Sequence, residues 1–167
     1  MADTQGNDAL DLLRPENVRF VDHFDDWRQA IRESLKSLEQ GGYVSPEYAE
    51  NIIKDTLEVG PYYVLTNNVA LIHARPEEGA IKTQLSITRL EQPFYFKADE
   101  IPDSGMPVWP VRLIFSLAAE NSDSHVDIIR IIASVCMDDD AVEALLQKES
   151  PEALYEAFMS AGRVFEG

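Results

Sequence analysis

The chain is poor in the residues that staple or anchor a protein. Only one of its 167 residues is cysteine, so no disulfide can form within it, and no CxxC pair marks a zinc site or a dithiol couple. No apolar run approaches the roughly 18 residues needed to cross a bilayer, and the start MADTQGNDAL lacks the basic and apolar regions of a signal peptide. These absences predict a reducing, cytoplasmic setting without membrane insertion. Cations are scarce too. Fourteen Lys and Arg against 30 Asp and Glu leave a formal charge of −16, which argues against nucleic acid as a partner because that binding rewards cations brought to phosphates. A basic protein partner is easier to accommodate. Neither a P-loop nor a GxGxxG is present, so no nucleotide cofactor is indicated.

What is present suffices for one core: apolar residues make up 45% of the chain, enough for a single domain of this length. Residues 1–14 are polar and aperiodic and read as a flexible leader, with the domain spanning 15–167. Asn17–Val21 reads as a short strand. Phe24, Trp27, Ile31, Leu35 and Leu38 then recur at helical spacing until Gly41-Gly42. Ser45-Pro46-Glu47 announces a second helix, stopped by Gly60-Pro61. Strands are expected at Tyr62–Leu65, Val69–Ile72, Thr83–Leu90 and Val111–Ala119. Ser122-Asp123-Ser124 should cap a helix burying Val126, Ile129, Ile132 and Ala133, and two more helices are expected at Asp140–Lys148 and Pro151–Ala161. Helices before, around and after a cluster of strands predict an α/β fold, a single layered domain with a central mixed β-sheet flanked by helices.

Three histidines are the main candidates for chemistry. His23, among Asp22, Asp25 and Asp26, reads as a solvated residue. His73 closes the apolar segment Val69–Ile72 and is followed by Ala74-Arg75-Pro76, so an imidazole stands at a strand end with a guanidinium two residues on. His125 follows the strand Val111–Ala119 and should sit at a strand-to-helix junction, where the two rings could meet. On the residues alone, His73 could be structural, nucleophilic, or a metal ligand in a hydrolase with His125 and a carboxylate such as Glu78. Between Pro61 and Lys97 four basic residues (Arg75, Lys82, Arg89, Lys97) face three acidic ones (Glu77, Glu78, Glu91), the one interval where an anion meets no strongly repulsive field. Cys136 falls on an apolar helical stretch and reads as core packing.

The stretch GPYYVLTNNVALIHARPEEGAIKTQLSI, Gly60 to Ile87, resembles the active-site segment of the fructose–mannitol family of phosphotransferase system EIIA domains, and most of all its ascorbate-type branch. The residues that match are Gly60-Pro61-Tyr62, Ala70-Leu71, His73-Ala74-Arg75-Pro76-Glu77-Glu78-Gly79 and Lys82-Thr83. A second segment, Pro107 to Ile129, resembles the family's following strand and helix start, with Val111, Ala118-Ala119 and His125. Two positions depart: Ile72 stands where the family has proline before the histidine, and Asn68 where the preceding turn usually has glycine.

The resemblance implies that His73 accepts a phosphoryl group from phospho-HPr and passes it to a cysteine of an EIIB domain. It also implies that His125 is a second active-site histidine and that Arg75 contacts the phosphate, with no metal or nucleotide involved. A homodimer is compatible with the sequence. Within the family the alternative is a regulatory protein whose phosphorylation controls a protein target.

Overall fold

The computed structural model describes residues 9–103, 105–121 and 126–165. A 3-10 turn at Ala9–Leu12 leads into β1 (Leu13–Val21), followed by α1 (Trp27–Ser34), α2 (Lys36–Gln40) and α3 (Pro46–Val59). Then come β2 (Val64–Thr66), β3 (Asn68–Ile72), a 3-10 turn at Pro76–Glu78, β4 (Gln84–Phe94) and β5 (Val111–Ala118). Helices α4 (Val126–Cys136), α5 (Asp139–Leu146) and α6 (Pro151–Arg163) complete the described elements.

The five strands form one mixed sheet in the order β1-β4-β5-β3-β2. β1 runs parallel to β4 and β3 parallel to β5, whereas β4 with β5 and β2 with β3 are antiparallel. Strand alternation divides the apolar residues between two faces. Val69 and Leu71 of β3, with Leu113, Phe115 and Leu117 of β5, point to a core shared with α4, α5 and α6. Ala70, Ile72, Ile114 and Ala118 point the other way, to α1, α2 and α3. The expected α/β layering with a central mixed sheet is therefore the architecture found.

Several local expectations shift, each for a physical reason. The fold starts earlier than the leader reading allowed: Leu10 and Leu13 are buried in the α4–α6 core. Pro15 and Glu16 lie inside β1, whose register against β4 slips between Leu13 and Val18; an edge strand tolerates a proline that a central one would not. The first helix is interrupted at Leu35, between α1 and α2. Ser45 occupies the N-cap of α3 but makes no side-chain capping bond, whereas Ser150 does cap α6 by accepting from the Ala153 N–H.

The expected inward face of α4 was out of phase. Of its four residues only Ile132 is buried; Ile129 is half-buried, and Val126 and Ala133 are exposed. Ile128, Ile131, Val135 and Cys136 take the core positions instead. Apolar residues surround this helix on nearly all sides, so periodicity alone does not set its rotation. Asp127 and Arg130, both exposed, mark the outer face.

Asn68 has φ of 71°, the left-handed region where asparagine is the usual substitute for glycine. Asparagine at this turn thus holds a conformation that most other residues avoid. The turn delivers β3 into place beside β5, where Ile72 pairs with Ser116. His73 follows immediately. Because β3 and β5 are parallel, residues 119–121 leave the sheet at the end where His73 stands.

Candidate functional site

His73 is half-buried just beyond the last residue of β3. Its Nδ1 lies 2.8 Å from the Leu71 carbonyl oxygen. A carbonyl can only accept, so Nδ1 carries the proton and the lone pair of the neutral ring is on Nε2. The ring also meets Tyr62 edge to face, with centroids 5.6 Å apart and planes at 79°.

The chain around His73 is held by two tyrosines. Gly60-Pro61 ends α3 and turns the chain so that Tyr62 reaches the histidine, where its hydroxyl donates to the His73 carbonyl at 2.6 Å. Tyr48, in the first turns of α3 and fully buried, accepts from the Ala74 N–H at 2.9 Å and donates its own proton to the Leu117 carbonyl at 2.8 Å. That second bond ties the exit of β3 to the end of β5. Burial pushes the Tyr48 hydroxyl up to about 12 and raises that of Tyr62 as well, so both remain protonated donors at neutral pH.

Neither tyrosine was assigned a role from sequence. Tyr48 lies within the second expected helix and Tyr62 opens the expected strand Tyr62–Leu65, and neither place by itself marks a role. The available signal was the hydroxyl itself, since a buried tyrosine needs a hydrogen-bond partner where phenylalanine would not.

Arg75 is presented on the following loop, with 75% of its side chain exposed. Its guanidinium lies 3.8 Å from carboxylate oxygens of both Glu77 and Glu78, and the contact with the exposed Glu77 is one that an incoming anion can displace at small cost. Glu78 is mostly buried. Burial and the neighbouring Asp55 carboxylate raise its carboxyl above the ordinary value, with Arg75 acting in the opposite direction.

The loop is braced against α3: Asn51 donates to the Glu78 carbonyl at 2.7 Å, and the Ser45 N–H to the Gly79 carbonyl at 2.8 Å. Farther along, the Glu120 N–H donates to the Thr83 hydroxyl at 3.0 Å, tying the start of β4 to the segment that leaves β5. His125, expected beside His73, lies outside the described residues, as does the Ser122-Asp123-Ser124 segment expected to cap α4.

The other sequence candidates stand apart. His23 is exposed between Asp22 and Asp25. Cys136 is buried in the α4–α6 core, and burial pushes its thiol up to about 12. A groove of about 610 Å³ is lined by Tyr62, Phe96, Lys97, Trp109 and their neighbours, but not by His73. Among the described residues no helix is long and apolar enough to cross a membrane.

His73 thus stands at a braced strand end, two residues before the exposed Arg75, and comparisons with known proteins place the chain as a whole. A mannitol-specific cryptic phosphotransferase enzyme IIA component of Escherichia coli (strain K12) is 34% identical over 144 residues, covering 86% of this chain and 92% of the relative. An ascorbate-specific phosphotransferase EIIA component of Mycoplasma pneumoniae is 31% identical over 136 residues, covering 81% of this chain and 80% of the relative. The solution structure of a mannitol-specific cryptic phosphotransferase enzyme IIA from Escherichia coli superposes with a TM-score of 0.78 at 32% identity, covering 91% of this chain and 98% of that one. Residues 11–161 match the family described as "Phosphoenolpyruvate-dependent sugar phosphotransferase system, EIIA 2", and the chain belongs to that family of sugar phosphotransferase system components.

Proposed function

We propose that this protein is a phosphoryl carrier that accepts a phosphoryl group from phospho-HPr on His73 and hands it to a cysteine of an EIIB domain. The supporting observation is the bond from Nδ1–H to the Leu71 carbonyl. It fixes the tautomer in which Nε2 holds the lone pair, and neutral imidazole is a nucleophile at pH 7 whose product can leave again.

In the accepting step the Nε2 lone pair forms the new N–P bond while the N–P bond of the donor breaks, its electron pair returning to the donor ring. The His73 ring gains positive character, which the Leu71 carbonyl at Nδ1–H stabilises. In the donating step a thiolate attacks phosphorus in line and the N–P electron pair returns to Nε2.

The transition state is loose, with charge on the equatorial oxygens, so the surroundings must supply positive potential more than new bonds. Arg75 is assigned to that task, and His125 is assigned beside it as the second active-site histidine. An acceptor on a strand end, outside the groove lined by Tyr62 and Trp109, suits a group offered to another protein's surface. The strongly acidic chain, at −16, suits a basic face on that partner. The domain that carries this activity is residues 15–167, extended at its start by the ordered residues from Ala9.

A relay reconstituted with labelled phosphoenolpyruvate tests the reading. His73→Ala is expected to take up no label while remaining folded; undiminished labelling of that variant overturns it.

A further inference from the structure

We infer that Tyr48 and Tyr62 are positioning residues that lock the acceptor imidazole by gripping the single peptide unit behind it, one hydroxyl on its carbonyl and the other on its N–H. The inference rests on the reading of His73 as the phosphoryl acceptor.

The β3 pairing with β5 ends at Ile72, opposite Ser116. The peptide unit between His73 and Ala74 lies past the last pair of the ladder, and its polar groups need partners from elsewhere. Tyr62 donates to its oxygen at 2.6 Å and Tyr48 accepts from its nitrogen at 2.9 Å. A peptide is planar, so holding both its oxygen and its N–H fixes the orientation of the plane and with it the backbone on either side.

The two grips differ in what they transmit. Tyr48 spends its single proton on Leu117 at 2.8 Å, while the Ala74 carbonyl lies farther off at 3.4 Å. The plane is thereby pinned to the neighbouring strand. Tyr62 also packs its ring edge to face against the imidazole, restricting the swing of a side chain that the Nδ1 bond to Leu71 restrains as well.

Both tyrosines come from one helix and its exit: Tyr48 near the start of α3, and Tyr62 just past its end. α3 therefore acts as the rigid frame on which the acceptor is set. Pre-orienting Nε2 matters because in-line transfer between two proteins tolerates little angular error, and misplacement by about 1 Å can cost about 10²-fold.

The test uses the full chain with Y62F, Y48F, H73A and, as a control, Y95F, at a residue that is 49% exposed. Y62F should retain the wild-type fold and accept phosphate about tenfold more slowly, a loss of the size that imperfect orientation gives. In ¹⁵N-labelled unphosphorylated protein, its His73 Nδ1–H should exchange with water about tenfold faster than in wild type or Y95F. Y48F should show the same pair of changes together with lower stability, because it strips a partner from the buried Leu117 carbonyl and the part-buried Ala74 N–H; Y62F is therefore the deciding variant.

An Nδ1–H exchange rate in Y62F equal to that of wild type overturns the clamp. That arm needs no relay. Labelling that persists in H73A would sink the carrier reading, and the exchange arm would still decide the clamp.

Discussion

Gly79→Ala links the backbone of the 76–79 turn to the site. Gly79 closes that turn with φ of 133° and packs on the start of α3. A Cβ there would lie 2.8 Å from the Ser45 hydroxyl oxygen, 3.0 Å from the Tyr48 nitrogen and 3.1 Å from the Tyr48 Cα. The serine could rotate away, but the two Tyr48 atoms belong to a helix backbone and cannot.

Two costs add. Holding a non-glycine residue at this φ costs about 1–3 kcal/mol, and forcing extra volume into a packed contact costs about 1–3 kcal/mol. At roughly 2–4 °C per kcal/mol for a chain of this size, a combined penalty near 4 kcal/mol lowers Tm by about 8–16 °C. Gly42→Ala separates the terms. Gly42 has φ of 81° and no atom within 4 Å of the added carbon, so it incurs only a left-handed backbone penalty of about 1–2 kcal/mol. Thermal melting of both variants by circular dichroism is the assay. If G79A melts within about 2 °C of G42A, the close contact with α3 costs nothing and the reasoning fails.

Two further predictions concern titration. Hydrogen bonds to Asp22 and then Asp25 raise His23 above its ordinary value of 6.5. A raised folded-state pKa gives stability that is fully present below pH 6.5 and is lost as pH rises through the folded value; the Tm difference between wild type and H23Q should therefore be larger at pH 5.5 than at pH 8.5, and an equal difference at both refutes it. Cys136, buried and pushed up to about 12, should resist iodoacetamide at pH 8 in the native protein and react once unfolded. Mass spectrometry reads the adduct, and native labelling as fast as denatured labelling refutes the assignment to the core.

Periodicity and punctuation made much of this architecture legible. Gly60-Pro61 and Ser150-Pro151 mark helix boundaries that the fold respects, and the apolar segments around Ala70 and Ile114 are the central strands. Periodicity failed where its signal is weak. Leu10 and Leu13 looked like part of a polar leader because two core residues amid polar neighbours show no repeat. The face of α4 was misread because isoleucines lie on several sides of it, and the charged pair Asp127 and Arg130 was the better guide.

The site shows the same division. The position of His73 at a strand end was legible from the apolar segment before it, which is β3. The means by which it is held was not, because the partners of the His73–Ala74 peptide come from positions 48 and 62. Such contacts depend on how α3 is laid across the sheet, which no local pattern encodes. Asn68 lies between these cases: a non-glycine residue at a glycine position reads as a departure until its φ of 71° is known.

The most direct test of the account is NMR of ¹⁵N-histidine-labelled protein after phosphorylation by the phosphoenolpyruvate-driven relay. A single phosphohistidine is expected, at residue 73, with phosphorus coupled to Nε2 and the proton kept on Nδ1. Phosphorus on Nδ1 of that ring, or on His23 or His125 instead, contradicts it.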